Sequence, residues 1–209
     1  MRRRTQQERR AQADAKMVEA AIELIAERGF GGFVLGEVAA RAGYSATLPI
    51  HYYKTKEALI LHVARRILAD YDAAMQTRLA GATGLGALAE FVGVYFDFAR
   101  QEPSKRRAFF MITSEAAVHG ALREEVAALT RAGSSGLAAM IRDGQRDCSI
   151  EPLVDADVFG AVLLGWVRGA ISLWMVDATL DLDRMANLIT GSMARVLDSR
   201  LPSQAKAGG

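Results

Sequence analysis

Apolar residues recur at helical spacing along most of the chain. Val18, Ala21, Ile22 and Ile25 repeat at i, i+3, i+4 and i+7, which turns one face of a first helix inward. Gly29 ends that helix, and Gly31-Gly32 makes a flexible connection. Leu35, Val38, Ala39 and Ala42 repeat the pattern over a shorter stretch, until Gly43 offers a residue free to take positive φ where the chain must reverse. Ser45 reads as the N-cap of a third short helix over residues 46–52, and small Ala39 lets the two short helices approach closely. Thr55 reads as the cap of a fourth helix, with Glu57 near its positive end and a stripe of Ile60, Val63, Ile67, Tyr71 and Met75.

Beyond Gly81–Gly86 the same period predicts helices over about residues 88–101, 105–119, 122–148, 155–176 and 182–201. Pro103 and Pro152 fall at the joints, and Asp155 and Asp181 are N-cap candidates. The run Gly133-Ser134-Ser135-Gly136 either breaks its helix or only weakens it. Residues 2–14 read as a polar, basic arm that becomes helical toward its end. Residues 202–209 read as a disordered tail. The expected fold is all-α. A three-helix helix-turn-helix domain (residues 10–70) is joined by a long helix to a second helical domain (residues 71–201). Two short helices about a glycine turn form an arrangement whose second helix lies in the DNA major groove.

Composition agrees with an ordinary globular chain: 51% hydrophobic and 24% charged residues, with only four prolines. Cys148 is the only cysteine, which excludes an internal disulfide and a Cys-based zinc site. A net charge of +2 hides an asymmetry. Residues 1–66 carry 12 Lys/Arg against 7 Asp/Glu, whereas residues 67–209 carry 14 against 17. A basic third that coincides with a helix-turn-helix suits a polyanion partner. Residues 6–16 are polar where the apolar core of a signal peptide would begin, and a cytoplasmic location is expected. Residues 158–176 are long and apolar enough to span a bilayer. Arg168 at their centre would cost roughly 2.5–3.5 kcal/mol there, so the expectation is a buried interface helix and no membrane.

The segments Val18-Glu19-Ala20-Ala21-Ile22-Glu23-Leu24, Glu27-Arg28-Gly29-Phe30, Val38-Ala39-Ala40-Arg41-Ala42-Gly43-Tyr44-Ser45 and His51-Tyr52-Tyr53-Lys54-Thr55-Lys56-Glu57-Ala58-Leu59 resemble the TetR family of bacterial transcriptional regulators. The match covers about residues 16–66, and beyond it the likeness is architectural. The resemblance implies that Lys56 reaches a phosphate and that Tyr53 is a buried aromatic. Double-stranded DNA is the expected partner, in the form of a palindromic operator. The expected contact residues are Tyr44, Ser45, Ala46, Thr47, Ile50, His51, Tyr52, Lys54 and Lys56, with Arg2, Arg3 and Arg4 as further phosphate candidates. Several positions depart from the family. Ala46 stands where Lys or Arg is common, Thr47 where Gly is common, and Val34 where Thr or Ser usually caps the second helix. If Ser45 is the cap, Pro49 falls inside the first turn and either delays or kinks the helix. With few polar groups to read base edges, methyl contacts and DNA shape carry more of the specificity.

The resemblance also implies a homodimer and a small-molecule effector, which makes residues 71–201 a helical ligand-binding and dimerisation domain. The last two helices are candidates to pair as a four-helix interface through Leu163, Trp166, Ala170, Leu173 and Leu188. A largely apolar effector is expected to meet Phe96, Phe110, Met111, His119, Met140, Trp166 and Arg168, the last and His119 as polar anchors. No cofactor, metal or enzymatic site is expected. His51, His62 and His119 lack metal-ligand spacing, and Gly81-x-x-Gly84-x-Gly86 lacks the Lys-Ser/Thr of a phosphate loop. The competing reading is an all-α interaction or ligand-binding module without sequence-specific DNA binding, and that reading predicts no salt-sensitive affinity for DNA.

Overall fold

Thr5 begins the first helix by accepting from the Glu8 N–H while the Glu8 carboxylate accepts from the Thr5 N–H at 2.7 Å, a reciprocal cap. This computed structural model describes residues 5–198. Helix α1 (Gln6–Arg28) therefore takes in most of the expected arm, and Arg2, Arg3, Arg4 and the 202–209 tail lie outside the described residues. From Met17 to Ala26 the helix is buried on nearly all sides, because other helices surround it. Burying Met17, Ile22, Leu24 and Ile25 fully contributes about 1.5–3 kcal/mol each.

The remaining helices are α2 (Leu35–Ala42), α3 (Leu48–Tyr53), α4 (Lys56–Arg78), α5 (Gly84–Gln101), α6 (Pro103–Glu115), α7 (Gly120–Arg146), α8 (Ala156–Val176) and α9 (Leu182–Leu197). No strand forms among the described residues, and the fold is all-α. Asp155 caps α8 by accepting from the N–H groups of Asp157 and Val158, and Asp181 caps α9 by accepting from Arg184.

The chain divides into two units. The first holds residues 5–70 and 102–128, so α6 and the start of α7 join the helix-turn-helix helices, and α6 packs on α1. The sequence reading assigns residues 102–128 to the second domain. The reason for the difference is long-range: buried Ala108 and Ile112 on α6 belong to a core that only folding brings together.

The second unit holds residues 71–101 and 129–198. Its core gathers Leu88, Phe91, Val92 and Phe96 of α5, Leu137 and Ile141 of α7, Leu163, Leu164, Val167 and Ile171 of α8, and Met193 and Leu197 of α9. Helix α7 passes through Gly133–Gly136 unbroken. A Cβ on Gly160 of α8 would lie 2.7 Å from the Ser134 carbonyl oxygen and 3.0 Å from the Ala138 nitrogen, so glycine there permits two backbones to touch. By length and composition α8 could cross a membrane, but Leu163, Leu164, Val167, Ala170 and Ile171 are buried inside this unit, which packs α8 on α5 and α9.

Candidate nucleic-acid interface

Gly43 makes the turn between α2 and α3. Its φ of 77° and ψ of 32° are left-handed, and the Tyr44 N–H closes on the Ala39 carbonyl at 2.8 Å. Ala39 is fully buried at this junction. At the other end of α2, Val34 has no side-chain acceptor to offer. Glu37 supplies half of the cap instead, its carboxylate accepting from the Val34 N–H at 2.9 Å and from Arg28 at 2.8 Å. Arg41 grips Glu27 of α1 with two hydrogen bonds, at 2.8 and 2.9 Å. These partners hold the carboxyls of Glu37 and Glu27 below the ordinary glutamate range, the former chiefly through the Val34 N–H and the latter chiefly through Arg41.

Ser45 does not cap α3. Its carbonyl accepts from the Leu48 N–H at 3.0 Å in a turn, and the helix starts at Leu48 after Thr47. Pro49 explains the delay. As the second residue of α3 it sits where no N–H is needed, and the first donor into the helix is His51, to the Thr47 carbonyl at 3.1 Å. Pro49 is itself buried, whereas Ser45, Ala46, Thr47, Ile50, His51 and Lys54 are exposed, and Tyr44 and Tyr52 half-buried. The candidate contact residues thus include an exposed set on the turn and the outer side of α3, with Ile50 as a large apolar member.

Three side chains that sequence reasoning missed fix the far end of α3. Asp14 of α1 accepts from the Tyr53 hydroxyl at 2.7 Å and faces His62 of α4 at 3.2 Å, while Arg10 lies 5.4 Å from the Tyr52 ring centre. Burial, more than the Asp14 contact, pushes the Tyr53 phenol pKa up. Tyr53 is thus a core residue, as the resemblance implies, and a neutral donor. Polar residues at helical spacing on α1 give no sequence signal of such a role.

Lys54 and Lys56 occupy unlike settings. Lys54 has φ 69° and ψ −52°, and the Thr55 N–H meets the Tyr53 carbonyl at 2.8 Å across it. That is a three-residue turn of the strained, positive-φ kind. Thr55 then caps α4 by accepting from the Ala58 N–H at 3.1 Å. The Lys56 ammonium is turned toward the α1–α2 loop, donating to the Phe33 carbonyl at 2.6 Å beneath the rings of Phe33 and Phe30. Desolvation lowers its pKa. Phe30 also neighbours His119, with ring centres 4.6 Å apart.

The other expected site residues fall in both units. Phe110, Met111 and His119 fall in the first unit, and Phe96, Met140, Trp166 and Arg168 in the second. Phe96 is core, 1% exposed. Among the expected interface residues, Leu163 (0% exposed) and Ala170 (7%) are buried within their own unit and cannot present a dimer surface. Trp166, Leu173 and Leu188 are exposed. The reason is that α8 is apolar on nearly every side, so hydrophobicity alone does not tell its inner face from its outer one. Among the described residues no three of His, Cys, Asp and Glu converge as metal ligands.

The sequence profile described as bacterial regulatory proteins, tetR family, matches residues 17–63. The HTH-type transcriptional regulator BetI of Paraburkholderia phymatum is 30% identical over 162 residues, covering 76% of this chain and 81% of that protein. The HTH-type transcriptional regulator RutR of Escherichia coli is 30% identical over 95 residues, so the match spans only 45% of its length. Among solved structures, a TetR-family transcriptional regulator from Rhodococcus sp. superposes with a TM-score of 0.82 at 20% identity, covering 90% of this chain and 100% of that one. That likeness concerns the fold.

Proposed function

Because the chain belongs to the TetR family of bacterial regulatory proteins, we propose that it is a homodimeric, cytoplasmic repressor that releases a palindromic operator when a small molecule binds it. The observation that carries the reading is the outer side of the Gly43 turn and α3. Ser45, Ala46, Thr47, Ile50 and His51 are exposed there while Pro49 and Tyr53 anchor the helix from beneath. A short helix held by Asp14 and Arg10 presents few polar groups for base edges. Specificity therefore falls largely to Thr47 and His51, to apolar contact by Ile50 and Ala46, and to DNA shape. Tyr44, Tyr52, Lys54 and Lys56 supply the phosphate contacts that set affinity.

Dimerisation is supported by a stripe on α8. Val158, Val162, Trp166, Leu173 and Val176 are exposed at helical spacing, and Leu188 and Val196 are exposed on α9. Such a stripe, left in water, is the signature of an interaction surface. A dimeric reader of this kind meets half-sites about 34–36 Å apart, or multiples of that.

Selection of bound sequences from random duplex DNA tests the reading. The expected result is enrichment of twofold-symmetric sites, bound with a steep salt dependence. A monomer that enriches no sequence at low ionic strength overturns it and favours an interaction module.

A further inference from the structure

Four polar side chains meet inside the second unit. Arg168 of α8 donates to the Thr130 hydroxyl at 3.3 Å, and its guanidinium lies close to the Tyr95 hydroxyl of α5. Tyr95 in turn lies edge-on to Tyr71 of α4, with ring centres 5.4 Å apart. Phe98 and Phe91 stand edge-on to Tyr71 at 5.9 and 6.4 Å. The Tyr71 hydroxyl is inaccessible to solvent and meets no hydrogen-bond partner. Burial pushes its pKa up, so it is a neutral O–H donor that lacks an acceptor. An orphaned donor of this kind is costly unless something else supplies the acceptor.

We propose that Tyr71, Tyr95 and Arg168 form the polar anchor of an effector site, and that the effector is an organic carboxylate on an apolar, preferably aromatic body. The inference rests on the ligand-responsive reading above and deepens it. A carboxylate is acceptor-only, with two oxygens. One oxygen can take the Tyr71 O–H while the other faces the guanidinium, and the rings of Phe91 and Phe98 suit the apolar body. Aromatic rings alone would equally suit a quaternary ammonium ion. The Arg168 charge decides between them, because like charges repel strongly where little water screens them.

The test uses the full chain and three skeletons: phenylacetate, 3-phenylpropanoate and 4-phenylbutanoate, each with its primary amide and its trimethylammonium analogue. Calorimetric titration is expected to show that at least one carboxylate binds about tenfold or more tightly than its amide and its ammonium counterpart, as a charge-assisted contact requires. Tyr71→Phe should keep or raise the thermal midpoint of the free protein, since the orphaned donor is gone, and weaken the carboxylate about tenfold. The proposal is overturned by any of four results. These are equal binding of carboxylate and amide, preference for the ammonium, no carboxylate binding at millimolar concentration, or unchanged affinity in Tyr71→Phe. Binding of the free protein to selected DNA is measured alongside. DNA binding without carboxylate binding refutes the anchor alone, whereas carboxylate binding without DNA binding upholds the anchor and refutes the regulator.

Discussion

The Lys56 ammonium donates to the Phe33 carbonyl at 2.6 Å, so the first turn of α4 is tied to the loop that leads into α2. The rings of Phe33 and Phe30 lie 4.3 and 5.2 Å from the same nitrogen. The cation proposed to meet a phosphate thus also pins the loop that leads into α2. Lys56→Ala is expected to lower the thermal midpoint, to weaken binding to all DNA sequences similarly, and to reduce the salt slope by about one unit. A lowered midpoint with an unchanged slope would confine Lys56 to holding the loop.

Lys54 carries a different tension, between conformation and charge. At φ 69° and ψ −52° a side chain is strained, by about 1–3 kcal/mol for sparsely populated backbone regions. Lys54→Gly relieves that strain while removing a charge. Circular dichroism melting should show a higher midpoint, and binding to DNA should weaken with a slope about one unit shallower. A lower midpoint for the glycine variant would refute the strain argument.

Acid should loosen the contacts between α1 and α2. Glu27 and Glu37 are held below their ordinary value of 4.5 by Arg41, Arg28 and the Val34 N–H. A carboxyl whose folded pKa is depressed stabilises the fold fully above the unfolded value and loses that contribution as pH falls through the folded one. Stability is therefore expected to hold down to about pH 4.5 and to decline below it. Glu37→Gln should flatten the decline, and an identical acid profile in that variant would exclude Glu37 as a source.

Much of this could be read from the sequence, for a physical reason. Gly43, Thr55, Asp155 and Asp181 act on their immediate neighbours, and local chemistry is visible in a local pattern. Tyr53 is buried where its matching position implies, and only its hydroxyl partner, Asp14, was hidden, 39 residues away. Ser45 failed locally, since α3 starts only at Leu48, and the other differences are long-range. Phe110 and Met111 belong to the first unit because Ala108 and Ile112 bury their helix there, and His119 follows in the connection to α7, which no window of sequence reveals. Leu163 and Ala170 sit on the inner side of α8, and a helix apolar on nearly every side offers no polar face from which to read that. The strained turn at Lys54 follows from joining α3 to α4 with so few residues, and a lysine there gives no hint of it.

Gly160 sets how closely α8 approaches α7. A Cβ there would fall 2.7 Å from the Ser134 carbonyl oxygen, which is backbone and cannot swing aside. Gly160→Ala must push the helices apart and is expected to cost about 1–3 kcal/mol, the range for overpacking a filled core. Gly165 offers a control on the same helix, since nothing lies within 4 Å of a Cβ placed on it. Chemical denaturation of the two variants should show a loss for Gly160→Ala and none from steric crowding for Gly165→Ala. Equal midpoints would mean that α7 and α8 are not in backbone contact.

The outer side of α8 gives the sharpest test of assembly. Leu173 and Leu188 are 60% and 64% exposed, so a charge at either position meets water in the monomer and unfolds nothing. Across a symmetric interface each substitution is made twice, and two buried carboxylates cannot be paired there. Leu173→Glu combined with Leu188→Glu is therefore expected to shift the protein to monomer in analytical ultracentrifugation. Its helical circular dichroism should be kept and its affinity for a two-half-site duplex lost. Leu163→Ala is the contrasting variant. With 0% exposure it should cost about 2–5 kcal/mol of stability through a cavity in the core, without selectively dissociating the dimer. If the double glutamate variant stays dimeric, the copies associate through another surface, and the spacing of the two α3 helices must be set elsewhere.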